Sequence, residues 1–115
     1  VADVAELDAR LAAAKAEGRA VMLDFYADWC VSCKEMERFT FSDPKVQARL
    51  QNVVLLKADV TANSDADKAL LKRFKLFGPP GLIFWNSAGA QSEFKVIGFE
   101  KAEKFLSSVD SALGR

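Results

Sequence analysis

An apolar, β-prone run, Val21-Met22-Leu23-Asp24-Phe25-Tyr26, is followed almost at once by two cysteines, Cys30 and Cys33, that open a stretch of helical periodicity. A strand that turns directly into a helix points to an α/β chain with both thiols at the helix mouth. The segment Cys30-Val31-Ser32-Cys33-Lys34-Glu35-Met36-Glu37-Arg38-Phe39 reads as an amphipathic helix from Cys30 to about Phe39. A thiol at a helix N-terminus meets unpaired backbone N–H groups and the positive end of the helix dipole, and both favour thiolate. A second thiol one turn away can close a disulfide with it. That is sufficient apparatus for dithiol–disulfide exchange.

Other uses of two cysteines fit less well. A structural zinc site draws four ligands from Cys and His, and this chain has two Cys and no His. Haem attachment of the c type needs histidine after the second cysteine, where Lys34 stands. A purely structural staple across so short a loop would stabilise by only about 2 kcal/mol on the chain-entropy account. Two inert core thiols would suit a buried segment, whereas Asp28-Trp29 and Ser32 suggest a surface turn. The staple and the inert pair stay open beside redox exchange, which the pattern favours.

The 115 residues are read as one domain, 1–115, long enough to bury a core without staples. Sixteen basic residues balance sixteen acidic ones, so nothing in the charge favours nucleic acid or an anionic membrane surface. No apolar run approaches the roughly 18 residues that a membrane span requires. A start at Val1 rather than Met suggests a processed protein or an excised domain.

Val4, Leu7, Leu11 and Ala14 recur at helical spacing, with Gly18 placed to end that helix. Ser42 or Asp43 can cap a short helix beginning at Pro44, with Val46 and Leu50 inward. A second β-type run covers 53–59. Ser64 or Asp65 can open a further helix that points Ala69, Leu70 and Phe74 inward. After Gly78-Pro79-Pro80-Gly81 come a strand over 82–85, a turn at 86–89 and a returning strand from about Phe94 to Ile97. A last helix runs from about Lys101 to Leu113, with Phe105, Leu106 and Val109 on one face. Such an alternation implies a mixed sheet of four to five strands with helices on both faces.

A strand, then Trp29-Cys30-x-x-Cys33-Lys34 opening a helix, then a proline-bearing loop before a hairpin, resembles the thioredoxin fold. In that resemblance Asp24 matches the buried acid, Pro80 the cis-proline and Gly98 the glycine after the last strand. Residues 26–37 (Tyr-Ala-Asp-Trp-Cys-Val-Ser-Cys-Lys-Glu-Met-Glu), 40–46 and 58–63 are similar, more narrowly, to the C-terminal periplasmic domain of DsbD-type thiol:disulfide interchange proteins. The resemblance implies a monomeric periplasmic domain of a bacterial inner-membrane protein. It would take electrons from a membrane-embedded domain and pass them to an N-terminal periplasmic domain that serves isomerases and cytochrome c maturation. No metal, flavin or nucleotide is implied, the redox-active Cys30–Cys33 pair being the whole cofactor. Pro79 and Gly81 depart from the pattern, which places an aliphatic residue before the cis-proline and Thr after it. A free-standing thioredoxin-like reductase of general disulfides is the nearest alternative, and a non-catalytic thioredoxin-like binding module the more distant one.

Cys30 is expected to attack, with its sulfur facing solvent at the helix tip, and Cys33 to resolve the mixed disulfide. Asp24, a carboxylate in an apolar strand, needs a reason to be there: proton exchange with Cys33, or simple satisfaction by backbone or water. Glu37 lies one turn beyond Cys33 on the same helical face and is a surface residue or, by resemblance, a second modulator of the thiols. Two nearby acids would raise the Cys30 pKa against the pull of the helix terminus. Pro80 is expected cis, leaving the Pro79 backbone free to pair with an extended partner segment. Trp29, Phe77 and Phe99 could line a shallow apolar docking patch, with Gly98 beside it.

Overall fold

The computed structural model describes residues 1–114. Its centre is a four-stranded mixed sheet in the order β2-β1-β3-β4. Strand β1 (Val21–Tyr26) pairs in parallel with β2 (Val54–Asp59) and antiparallel with β3 (Gly81–Trp85); β3 pairs antiparallel with β4 (Val96–Ile97). Alternation along β1 and β3 builds two cores. Val21, Leu23, Phe25, Ile83 and Trp85 pack with helices α1 (Val4–Ala16) and α4 (Asp65–Arg73). Met22, Leu82 and Phe84 face the other way, onto α3 (Pro44–Arg49) and α5 (Ala102–Leu113). A strand buried on both faces reads as a continuous apolar run, which is why Asp24 stands out in it.

The helix carrying the cysteines is split. Helix α2 covers Val31–Glu35 with Cys30 as its N-cap, and it continues without a break as a π-helical turn, Met36–Thr40. The Phe41 N–H bonds the Met36 carbonyl at 2.8 Å, the i→i+5 pairing of a π-turn. Such turns recur at functional sites because they re-aim side chains within a helix. The expected single helix to Phe39 is thus one helical segment of two geometries.

Capping follows the local sequence. Asp43 caps α3 over Pro44, and Ser64 and Asp67 form a reciprocal capping box at α4. Helices α1 and α4 both end in paired 6→1 and 5→2 backbone bonds, with Gly18 at φ 67° in one and Lys75 at φ 57° in the other. The α4 ending drives Leu76 back against the core beside Leu71. On α4 the inward residues are Asp67, Leu70, Leu71 and Phe74, while Ala69, expected inward, is exposed. The i, i+3, i+4, i+7 stripe centres one position away from it. The returning strand is also shorter than expected. Phe94 gives its N–H to Ser92 Oγ at 3.1 Å and Lys95 Nζ reaches the Phe74 carbonyl at 2.8 Å; of the expected strand, Val96 and Ile97 pair with β3, and Gln91 adds an isolated bridge to Trp85.

Lys75 holds a left-handed conformation that costs a side-chain-bearing residue about 1–2 kcal/mol, partly offset by the unfolded-state entropy of glycine. Lys75→Gly is expected to stabilise the fold by about 0.5–1 kcal/mol, and Ser64→Ala to destabilise it by about 1 kcal/mol. Urea unfolding of the two variants, with unchanged m values, checks both.

Candidate active site

Cys30 and Cys33 form a disulfide with a Cα–Cα distance of 5.3 Å. The strand-to-helix turn sets it up: Cys30 is extended at the N-cap, and its sulfur accepts the Cys33 N–H at 3.1 Å. Cys33, in the first turn, packs its sulfur 3.8 Å from the Phe25 carbonyl oxygen of β1. Both residues are buried, Cys30 at 6 % exposure and Cys33 at 3 %. Cys30 therefore does not project its sulfur into solvent as expected. In the disulfide state that sulfur turns back over the helix end, and the exposed surface belongs to its neighbours Trp29 (59 %) and Val31 (71 %). Cys30 keeps the larger residual exposure of the two.

The loop before Cys30 is tied down by Thr61, in the turn after β2. Its hydroxyl accepts the Asp28 N–H at 2.9 Å, and its carbonyl accepts the Trp29 indole N–H at 3.0 Å. Thr61 is in turn held by Asp59 through both its N–H and its hydroxyl. These bonds fix Trp29 beside the disulfide although its ring is largely exposed. Thr61 lies 31 residues beyond Cys30 and carries no local signal of such a role.

The Pro79–Pro80 peptide is cis. It leads into Gly81, which lies opposite Phe25 in the β1–β3 register, so the proline loop sits on the strand position that also meets Cys33. A Cβ at residue 81 would come within 2.8 Å of the Leu76 side chain. Gly81 is thereby matched to Leu76, which the α4 ending pushes underneath it. Gly98, at φ 87°, follows β4 with its N–H 3.5 Å from the Pro80 carbonyl. Phe77 is fully exposed and Phe99 is 41 % exposed.

Asp24 points to the side of the sheet opposite Phe25, into a cleft of about 440 Å³ between α3 and the edge strand β2. Phe41, Val46, Leu50 and Leu55 line it, with Lys57 at its polar end. Burial raises the Asp24 carboxyl from 3.8 to about 7, against the lowering effect of Lys57 and with a smaller push upward from Glu37. Lys57 is the register neighbour of Asp24 on β2. Its ammonium lies 3.3 Å from Glu37 Oε2 and 3.8 Å from the centroid of the Tyr26 ring. Glu37 is thus an exposed partner of Lys57 that reaches Asp24 through its charge. Only β1–β2 pairing brings Lys57 beside Asp24, so the linear sequence does not join the two. A lysine outward in an apolar edge strand was the available signal.

A carboxyl whose folded pKa lies above its unfolded value holds its proton more tightly when folded. Its effect is absent below about pH 4, and the fold loses stability as pH rises from about 4 to 7, by up to roughly 4 kcal/mol. Asp24→Asn is expected to remove that loss, so that the variant exceeds the parent in stability at pH 8 and not at pH 4, as read by urea unfolding at both values. Lys57→Met is expected to push the Asp24 midpoint above 7 and Glu37→Gln to bring it down, as read by carboxyl ¹³C NMR titration.

The thioredoxin-like family model matches residues 3–87. The thiol:disulfide interchange protein DsbD of Ralstonia nicotianae is 61 % identical over 99 % of this chain, which spans only 19 % of that relative. DsbD of Klebsiella pneumoniae is 55 % identical over 91 % of the chain, with 17 % of the relative covered. Among solved structures, the C-terminal domain of Neisseria meningitidis DsbD in its oxidised form is similar at a TM-score of 0.82 and 43 % identity, with 96 % of this chain and 97 % of that one covered. Fold, cysteine pair and relatives agree: the chain belongs to the thioredoxin-like family, within the group of DsbD C-terminal domains.

Proposed function

We propose that this chain is a thiol:disulfide oxidoreductase, a single domain of a longer DsbD-type protein anchored in the bacterial inner membrane, and that it works in the periplasm as a monomer. It relays two electrons from a membrane-embedded donor domain to an N-terminal periplasmic acceptor domain. The observation that carries this reading is the disulfide at the helix mouth, packed on the Phe25 carbonyl of β1 at the strand position that faces the end of the cis-proline loop.

In the reduced chain the Cys30 thiolate attacks one sulfur of the acceptor disulfide. A Cys30–acceptor bond forms, the acceptor S–S bond breaks, and the departing acceptor sulfur takes up a proton. Cys33 then gives up its proton and attacks the Cys30 sulfur, which restores the Cys30–Cys33 disulfide and releases the second acceptor thiol. Two electrons have passed to the acceptor, and a donor dithiol returns two by the reverse sequence. Asp24 acts as the proton acceptor for Cys33, since a carboxyl titrating near 7 can both take and release a proton at neutral pH. Trp29, Phe77, Phe99 and Gly98 form the rim on which the partner rests, and the Pro79 backbone pairs with its extended segment.

The N-cap position of Cys30 favours its thiolate, while the negative charge of Asp24 and Glu37 and burial oppose it. The second influence is expected to prevail, giving a midpoint for Cys30 alkylation above that of the attacking cysteine of thioredoxin, about 7; a midpoint near or below neutrality refutes this. Cys33→Ser, incubated with the oxidised N-terminal periplasmic domain of a DsbD protein, is expected to accumulate a mixed disulfide through Cys30. Its absence, together with efficient insulin reduction by the parent chain, would instead identify a general reductase.

A further inference from the structure

Thr40 is a polar side chain with no solvent exposure, at the end of the π-turn that continues the cysteine helix. A buried hydroxyl is costly unless bonded. Its hydrogen goes to the backbone carbonyl of Glu100, sixty residues away. The Glu100 N–H points at Met36 Sδ, 3.2 Å distant in the same π-turn. The Glu100 carboxylate accepts the hydroxyl of buried Ser108, on α5, at 2.7 Å. All three polar handles of Glu100 are therefore held, two of them by the helix that begins at the cysteines.

This matters because the sheet holds the neighbouring loop weakly. Strand β4 pairs over two residues only, and Gly98 then turns through a left-handed conformation. Ile97 (64 % exposed) and Phe99 stand on this segment, and Ile97 is in register with Gly81, directly after the cis-proline. The contacts form a closed ring: Cys33 to the Phe25 carbonyl, Phe25 to Gly81, Gly81 to Ile97, and Glu100 back to Met36 and Thr40. Without the last link, two residue pairs and a glycine would set where Phe99 stands relative to Cys30.

We propose that Thr40 is a positioning residue for partner recognition, clamping the Gly98–Glu100 loop to the cysteine helix so that the docking rim and the disulfide present as one rigid surface. This rests on the reading that a partner protein docks on that rim. The π-turn then has a use: it ends the cysteine helix with Met36 and Thr40 both on Glu100. A hydroxyl serving packing alone would contribute to stability without distinguishing a protein disulfide from a small one.

The test compares two substrates, the oxidised N-terminal periplasmic domain of a DsbD protein and bis(2-hydroxyethyl) disulfide, which is too small to need the loop. Thr40→Val keeps the volume and removes the donor. It is expected to raise KM for the protein substrate about five- to tenfold with kcat unchanged, to leave the rate with the small disulfide unaltered, and to be rescued by Thr40→Ser. Met36→Leu, which removes the sulfur acceptor, is read by the same criteria should Thr40→Val fail to fold. An unchanged KM, or an equal loss with both substrates, overturns the proposal. A parent chain that turns over the small disulfide but never the domain removes the docking reading, and this proposal with it. Parent turnover of both with unaltered KM in the variants removes this proposal alone.

Discussion

Strand β1 is hydrogen-bonded along both edges, in parallel to β2 and antiparallel to β3, and the placement of every reactive group follows from that double pairing. One face of the strand offers Leu23 and Phe25 to the core under α1 and α4; the other carries Met22 and Asp24 toward α3. The Phe25 carbonyl meets Cys33, and Phe25 itself lies opposite Gly81 at the end of the cis-proline loop. The antiparallel edge therefore delivers the proline loop to the cysteines, and the parallel edge delivers Lys57 to Asp24. A slip of one residue in either register would exchange the faces of the paired strand, and the site would come apart.

Two features of opposite electrostatic character flank the strand-to-helix seam. The helix end supplies N–H donors, one of which Cys30 already uses through its sulfur. The sheet supplies a largely desolvated carboxyl whose preferred neutral form is kept only partly in check by Lys57. Lys57 is itself shared among Asp24, Glu37 and the Tyr26 ring, so no single partner neutralises it. A carboxyl buried in the strand whose Phe25 carbonyl meets Cys33 costs the fold stability wherever it ionises. The cost to the fold is a measure of how far the site departs from what packing alone would choose.

Much of the architecture is written locally. The strand-to-helix seam at the cysteines, the Gly18 ending of α1, the Pro44 start of α3 and the capping serine of α4 follow from residue type and short-range spacing. The departures have local physical causes. Ala69 faces out because the apolar stripe of α4 centres on Leu70, Leu71 and Phe74. The last strand starts at Val96 rather than Phe94, whose backbone N–H is taken locally by Ser92 Oγ. The π-turn has no periodic signature, since one turn of i→i+5 bonding leaves the apolar spacing almost unaltered.

The linear order of residues is enough to declare the chemistry: two thiols at helical spacing after a buried strand, a lone acid inside that strand, and a paired proline before the next. These depend on interactions within a few residues, where backbone geometry and residue type decide the outcome. What only the folded chain settles is which distant groups modulate that chemistry. Lys57 reaches Asp24 through a strand register, Thr61 holds Trp29 across two loops, Leu76 occupies the space that Gly81 leaves, and Thr40 fastens the loop at Glu100. Each of these joins segments far apart in sequence, and such pairings follow from packing the whole sheet rather than from any local preference.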